Sequence, residues 1–394
     1  MTILVAEDDR ATRLRIVVSL KGWGYDVVEA VDGQDAWEKF QEIDPAIIIT
    51  DWQMPNMDGV ELIRNIRADK EDVTYHYTIL LTSRSEMKDL VEGLESGADD
   101  FVAKPFDKDE LRVRVAGGVR IVELEHELEE QNSKLEASNQ RMKESLLSAA
   151  KIQQSFLPAT ELTIGGVQFA HRYLPCDELA GDTLNILPLD DRYVAIYNID
   201  VSGHGVPAAL LSVHLSRILT RLRGPDKILL KTQEDGTRAP VSPAKVLKKL
   251  NRRFMCDASN EQYFTMNYGV LDLKERRLRY SSAGHPGPVI VSKGEMKILQ
   301  AMPPAVGFIP DPEFQEATLD LSAGDRLLFY TDGVYEVMNK EGEEYGEERF
   351  AEEFAKAVDQ PLKKSLQSLI FAARKWCGGE PFDDDVSLMA IEIN

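Results

Sequence analysis

The chain has 394 residues and a formal charge of −21. That length allows two or three domains with separate cores, and that acidity argues against an exposed nucleic-acid groove or adsorption to an anionic membrane. Cys176, Cys256 and Cys377 are odd in number and widely spaced, which indicates neither a disulfide framework nor a zinc cluster; no apolar run approaches the roughly 20 residues of a membrane span, and Met1 leads straight into an apolar strand, so a cytoplasmic location is expected.

Short apolar runs at 3–6, 27–30, 46–50, 79–82 and 101–103 alternate with amphipathic stretches. This rhythm predicts a doubly wound α/β domain with a parallel sheet over residues 1–118. Active groups in such sheets gather at the carboxyl ends of the strands. Glu7, Asp8 and Asp9 follow the first run, Asp51 the third, Thr82 the fourth and Lys104-Pro105 the fifth. Carboxylates gathered there repel one another unless a hard cation sits among them. Such a cation, with Lys104, would also offset the charge of a phosphoryl group arriving on Asp51. Any one of these acids alone reads as a solubilising loop residue; the full set at the correct strand ends does not.

The stretches "ILVAEDD", "IIITDWQMPNMDG", "ILLTSR" and "DDFVAKPF" resemble the receiver domain of bacterial response regulators over essentially the whole segment. The resemblance implies that Asp51 is the phosphoacceptor and that Glu7, Asp8 and the carbonyl of Gln53 hold Mg²⁺. It further implies that Thr82 and Lys104 contact the phosphoryl group, that Phe101 is the aromatic that changes rotamer, and that a cognate histidine kinase is a partner. Lys104-Pro105 is expected to be cis, since a cis X-Pro bond costs far less than other cis peptides.

Between residues 119 and 157 every seventh residue from Ile121 is apolar or small: Ile121, Leu128, Leu135, Met142, Ala149, Phe156. Glu, Gln, Asn, Lys and Ser dominate the positions between. A lone helix cannot bury such a seam. The companion seam reads Leu124, Gln131, Ser138, Ser145, Ile152 in one register and Glu125, Asn132, Asn139, Leu146, Gln153 in the other. In the second, Asn132 and Asn139 would favour a parallel two-stranded pairing. The pattern predicts a parallel dimeric coiled coil, hence a homodimer; the alternative is one long solvated helix packed on its own domain.

From 158 to 394 the texture changes to longer alternating strands near 167–173, 193–199, 266–271, 327–330 and 386–393, with helices near 207–223 and 243–257. This predicts an α+β fold, a sandwich of two largely antiparallel sheets. Residues 224–243 break the pattern and read as a mobile loop. Acids recur beside glycine at strand ends: Asp182 in "LAGD", Asp200 in "NIDVSGHG", Asp332 in "FYTDGV", and Asp383, Asp384 and Asp385 in "FDDDVSL". Glycine lets backbone approach a metal or phosphate closely. Separated aspartates without Arg or Lys in the same motifs suit a pair of hard cations, which can hold a phosphate ester and generate hydroxide for in-line attack. No C-x₅-R loop is present, so a cysteinyl-phosphate route is not expected. Each Asp-Gly pair alone is a turn; the set carries the reading.

From about Ala149 onward, "AAKIQQSFLP", "LAGD", "IDVSGHGVPAALLS", "SSAGHPGPVI", "FYTDGVYEVMN" and "DDDVSLM" occur in that order. They resemble the SpoIIE-type branch of the metal-dependent serine/threonine phosphatases related to protein phosphatase 2C. The resemblance implies that Asp200 bridges two Mn²⁺ or Mg²⁺ ions, with the Val201 carbonyl supporting one. It assigns Asp182 to the second metal and Asp332 and Asp384 to the first, with Asp383 and Asp385 as one-residue alternatives. The family commonly has an aromatic pair and a second acid where Thr183-Leu184-Asn185 stand here, so Asn185 is expected to remove a charge near the metals. His204 is a candidate general acid, weighed against a structural role in a tight turn; His285 reads as a structural turn residue. The whole chain then reads as a response regulator whose output is a phosphoserine/phosphothreonine protein phosphatase acting on a phosphorylated anti-sigma-factor antagonist. The alternative is a catalytically silent phosphatase-fold adaptor that binds a sigma factor or its regulator. The absence of a basic helix excludes a DNA-binding output.

Overall fold

Five strands, β1 (Thr2–Ala6), β2 (Asp26–Ala30), β3 (Ile47–Asp51), β4 (Tyr77–Thr82) and β5 (Asp100–Ala103), form a parallel sheet of order β2-β1-β3-β4-β5 in the computed structural model. The structure describes residues 1–68, 74–83, 95–222, 227–234, 236–256 and 262–394. It divides into two units, Met1–Gln140 and Arg141–Asn394. Strands β1, β3 and β4 are almost wholly apolar because both faces are covered. Ile3, Val5, Ile49 and Ile79 pack with Ile16 and Leu20 of α1 (Arg10–Gly22). Leu4, Ala6 and Ile48 point the other way, to Phe40 of α2 (Gly33–Ile43) and Leu62 of α3 (Gly59–Ala68). Asp9 and Asp32 cap α1 and α2 by accepting the Thr12 and Asp35 amides.

Helix α4 (Lys108–Gln154) is a single 47-residue helix, so the expected coil and the last helix of the first unit are one element. Gly118, in its interior, is required there: a Cβ would collide with the Tyr77 ring. The predicted seam is solvent-facing, with Ile121, Leu128, Leu135 and Met142 at 39%, 53%, 58% and 62% exposure.

Among the described residues the second unit is built on two large sheets. One has the order β16-β13-β12-β9-β8, from β8 (Thr183–Pro188), β9 (Tyr193–Val201), β12 (Phe264–Asp272), β13 (Arg277–Ala283) and β16 (Ala317–Asp320). The other has the order β15-β14-β17-β18-β7-β6, from β6 (Glu161–Ile164), β7 (Val167–Leu174), β14 (Val289–Ser292), β15 (Glu295–Ile298), β17 (Arg326–Tyr330) and β18 (Val386–Ile393). Their pairings are antiparallel. Phe169, Ile186, Ile196, Leu271, Phe329, Met389 and Ile391, drawn from both sheets, share one core. The alternate residues face outward: Tyr197 and Tyr268 meet Leu215 of α5 (Val206–Leu219) and Val246 of α6 (Pro243–Arg253). On the other sheet, Leu328 and Leu388 meet Phe350 of α7 (Glu347–Lys356) and Leu366 of α8 (Leu362–Trp376). This period-two alternation is what the pleat imposes.

Part of the expected loop at 224–243 is a small hairpin of β10 (Leu230–Thr232) and β11 (Arg238–Pro240); its residues 224–226 and 235 lie outside the described residues, as does Asp257 at the end of the second expected helix. Antiparallel pairing sets the end of β17 beside the start of β18, with Tyr330 opposite Leu388, and the start of β8 beside the end of β9, with Thr183 opposite Ile199. The acids that flank these four strand ends are thereby gathered.

Candidate functional site

In the first unit Glu7 directly follows β1, fully buried, and Asp51 ends β3. One carboxylate oxygen each from Glu7, Asp8 and Asp51 lies within 4.8 Å of the others. Lys104 Nζ sits 2.6 Å from Glu7 Oε2 and 2.8 Å from Asp51 Oδ1. Burial raises the pKa of both Glu7 and Asp51, with the Lys104 hydrogen bonds pulling the other way. Burial also opposes the charge on Lys104, yet its hydrogen bonds to Asp51 and Glu7 outweigh that and raise its pKa. Three carboxylates against one ammonium leave excess negative charge on oxygen donors, which fits a hard dication such as Mg²⁺. Thr82 is buried at the end of β4, and Gln53 is exposed just after Asp51. Phe101 is half-buried against Trp52, Val60 and Leu80. Gly59 is needed behind the site, where a Cβ would strike the Asp51 carbonyl. The Lys104-Pro105 bond is cis, as expected.

In the second unit Asp182 precedes β8, Asp200 lies at the end of β9, Asp332 follows β17 and Asp384 precedes β18. Asp182 is fully buried, and burial with the nearby charges of Asp200 and Asp385 holds its carboxyl well above the usual range. Asp200 is pushed up to about 8, by burial first and then by Asp332, Asp384 and Asp385. Burial likewise raises Asp332, and it raises Asp384, which also feels Asp332 and Asp385. Among the described residues none of the four forms an ion pair with Lys or Arg. Such a cluster must take up protons or hold cations, and its all-oxygen donors suit Mg²⁺ or Mn²⁺.

Glycine sets the spacing: a Cβ on Gly181 would come within 3.0 Å of the Val201 carbonyl oxygen, and one on Gly333 would strike the Asp385 carbonyl. The three consecutive aspartates separate by direction. Asp383 and Asp384 are exposed on the loop, whereas Asp385 is turned inward. Its Oδ1 accepts the Cys176 amide at 2.9 Å, and its Oδ2 accepts those of Gly181 at 2.7 Å and Asp182 at 3.4 Å. Asp385 therefore fastens the loop that carries Asp182.

Asn185 is placed differently from the expectation. Its Nδ2 donates to the Phe156 carbonyl at 2.8 Å, two residues past the end of α4, and its Oδ1 accepts the Ile186 amide, so neither bond goes to the acids. His204 stands at the exposed rim, 3.3 Å from Asp177 and near Asp384. His285 is buried, with Nδ1 2.6 Å from Thr265 Oγ1; burial pushes its pKa down to about 3, so it is neutral. Thr265 in turn hydrogen-bonds Asp200. Sequence reasoning missed Thr265 and also Thr331, whose hydroxyl donates to Asp182 Oδ2 at 2.8 Å and accepts the Ser387 amide at 2.9 Å. The one signal for Thr331 was its place in "YTDG" beside a candidate ligand.

The family described as stage II sporulation protein E matches residues 190–394, just over half of the chain, and the response regulator receiver domain matches residues 3–116. Phosphoserine phosphatase RsbP of Bacillus subtilis is 32% identical over 198 residues, 49% of this chain and 45% of that protein. Transcriptional regulatory protein TrcR of Mycobacterium tuberculosis is 38% identical over 118 residues, 30% of this chain and 45% of that protein. The chain thus spans about half the length of these curated relatives. The SiaA-PP2C domain of Pseudomonas aeruginosa superposes with a TM-score of 0.55 at 20% identity, covering 66% of this chain and 99% of that domain, a likeness of fold.

Proposed function

The chain belongs to the stage II sporulation protein E family, and from that premise we propose that it is a metal-dependent protein serine/threonine phosphatase switched by phosphorylation of Asp51. The observation that carries this reading is the acid group in which Asp182 is buried, Asp200 and Asp332 are half-buried and Asp384 stands at the exposed edge; neighbouring carboxylates raise the pKa values of Asp182, Asp200 and Asp384, and among the described residues none of the four pairs with Lys or Arg. These four residues, with the Val201 carbonyl, would hold two Mn²⁺ or Mg²⁺ ions, and Glu7, Asp8 and the Gln53 carbonyl would hold one Mg²⁺. Paired dications in such a centre bind the phosphate ester and supply hydroxide at neutral pH. The chain's own part is positional: Thr331 and Asp385 orient Asp182, and Thr265, backed by His285, orients Asp200. The absence of an acid at Asn185 slightly favours the adaptor alternative; the four acids at 182, 200, 332 and 384 count against it, and the hydrogen bonds of Asn185 lead away from them.

The substrate is a phosphoserine or phosphothreonine on an anti-sigma-factor antagonist, a reading that rests on the family resemblance. The phosphodonor to Asp51 is a histidine kinase. Phosphorylation adds roughly −1.5 to −2 of charge and strong acceptor oxygens, which Thr82 and Lys104 would meet. The covalent route from there is α4, whose exposed seam is paired with that of a second chain in a parallel coiled coil. Coupling between sites is typically worth ~1–3 kcal/mol, so phosphorylation raises turnover by roughly 5- to 150-fold. Release of phosphate from a phosphoserine peptide should require Mn²⁺ or Mg²⁺ and should vanish in Asp332→Asn while the melting profile stays intact. Undiminished turnover in that variant would remove Asp332 from the centre.

A further inference from the structure

The last turns of α4 present Leu146, Ala150 and Gln153 on one face, at the i, i+4, i+7 spacing of adjacent turns. Leu146 and Ala150 pack with Leu179 and Ala209. Gln153 follows them inward and is only 7% exposed, whereas its neighbour Gln154 is exposed. The buried amide is fully used. Its Nε2 donates to the Ala180 carbonyl at 2.6 Å and to Ser212 Oγ at 2.9 Å, and its Oε1 accepts the Ala180 amide at 3.2 Å. Both main-chain groups of Ala180 are therefore held by one side chain from α4. The next two amides, of Gly181 and Asp182, are held from the other side by Asp385. Asp182 thus sits at the end of a short peptide run clamped between a helix and the acid cluster.

We propose that Gln153 is a positioning residue that fixes Asp182 for cation binding and through which α4 controls that binding; the proposal rests on the phosphatase reading and extends it to regulation. A slide or rotation of α4 carries Nε2 and Oε1 away from Ala180, and hydrogen bonds weaken steeply once their angle falls below about 120°. Released on that side, the 180–182 run no longer presents the Asp182 carboxylate in one place. Apolar packing alone would leave a helix free to slip; a two-sided amide clamp has one seat.

The test uses the full chain. Gln153→Met keeps much of the side-chain volume and removes the hydrogen bonds, Ser212→Ala removes one of them, and Gln154→Met is the exposed control. Mn²⁺ binding is read by calorimetry, and protection of the Ala180, Gly181 and Asp182 amides by hydrogen exchange. Loss of the clamp should raise the Mn²⁺ dissociation constant about tenfold, the equivalent of one net hydrogen bond, and speed exchange at those amides. Ser212→Ala should weaken Mn²⁺ binding about threefold, a partial loss of the same kind, and Gln154→Met should match wild type. Beryllofluoride, mimicking phosphorylation of Asp51, should change Mn²⁺ affinity in wild type and leave Gln153→Met unchanged. Wild-type Mn²⁺ affinity and protection in Gln153→Met would overturn the clamp. If that variant does not fold, unchanged affinity in Ser212→Ala overturns it instead. Equal beryllofluoride response in wild type and Gln153→Met would remove the regulatory role. A chain that binds Mn²⁺ in this Gln153-dependent way yet releases no phosphate would overturn the phosphatase reading and leave the clamp standing.

Discussion

Replacing Asp385 by Asn should separate the role of this acid from that of Asp384. The carboxylate of Asp385 accepts one amide on Oδ1 and two on Oδ2. An amide side chain keeps one accepting oxygen and turns an NH₂ toward the other set. The less costly orientation faces the oxygen to Gly181 and Asp182 and opposes the NH₂ to the Cys176 amide. One bond to a charged acceptor is then lost, at ~1.5–3 kcal/mol, and two are weakened by neutralisation, for a total of about 2–4 kcal/mol. In a unit of this size each kcal/mol moves Tm by about 2–4 °C, so a fall of roughly 5–15 °C is expected. Removing this charge also relieves Asp182 and Asp200, whose pKa values it raises. Scanning calorimetry is therefore done in saturating Mn²⁺, where the cations already offset that repulsion. Asp384→Asn, at the exposed edge, should leave Tm in chelator unchanged or raised and weaken Mn²⁺ binding. The reverse pattern, with Asp385→Asn as stable as wild type and deficient in Mn²⁺ binding, would refute the assignment.

Thr331→Val removes the hydroxyl donated to buried Asp182 and should weaken Mn²⁺ binding about tenfold, while Thr331→Ser restores it; equal calorimetric titrations for the two variants would count against this. The raised acids also make a pH prediction. A carboxyl whose folded pKa is raised contributes stability at low pH that is lost as pH rises through the folded value. For Asp200 the loss spans the ordinary value of 3.8 to about 8. Tm in chelator should therefore fall as pH is raised toward about 8, with Asp182 adding in the same direction, and Mn²⁺ should raise Tm more at the alkaline end. Asp200→Asn should flatten that dependence; a pH profile identical to wild type would exclude Asp200 as its source. Leu128→Lys with Leu135→Lys should give monomers by sedimentation, because like charges would face each other across the paired seam. A wild type that sediments as a monomer at micromolar concentration would end the coiled-coil proposal.

Where burial is two-sided and strands are parallel, apolar runs declare themselves, and β1, β3, β4 and β5 were legible within a residue or two. In the second unit β7, β9, β12, β17 and β18 were legible from their apolar content, whereas β8, β13 and short edge strands such as β6, β15 and β16 were not. Burial in the short edge strands is mixed, and pairing rather than composition makes them strands. The start of α4 was obscured by Gly117-Gly118, which imitate a helix end although Gly118 answers to the Tyr77 ring. The acids stood out because glycine accompanies them. Neighbouring aspartates look alike in sequence; Asp385 is singled out by amides more than 200 residues earlier in the chain. Asn185 is one strand residue in a local pattern, and its direction is decided by Phe156, just past the end of α4. Gln153 fell on the companion seam in only one of the two heptad registers, and Thr331 on no seam at all; distant partners bury both.

The central claim, that the acid cluster is a phosphatase centre governed by Asp51, is tested most directly by one measurement. Phosphate release from a phosphoserine peptide is followed in Mn²⁺ with and without beryllofluoride, for wild type and for Asp51→Ala. Wild type should rise by roughly 5- to 150-fold, and Asp51→Ala should keep the basal rate and show no response. Equal rates with and without beryllofluoride in wild type, or the same response in Asp51→Ala, would contradict that claim.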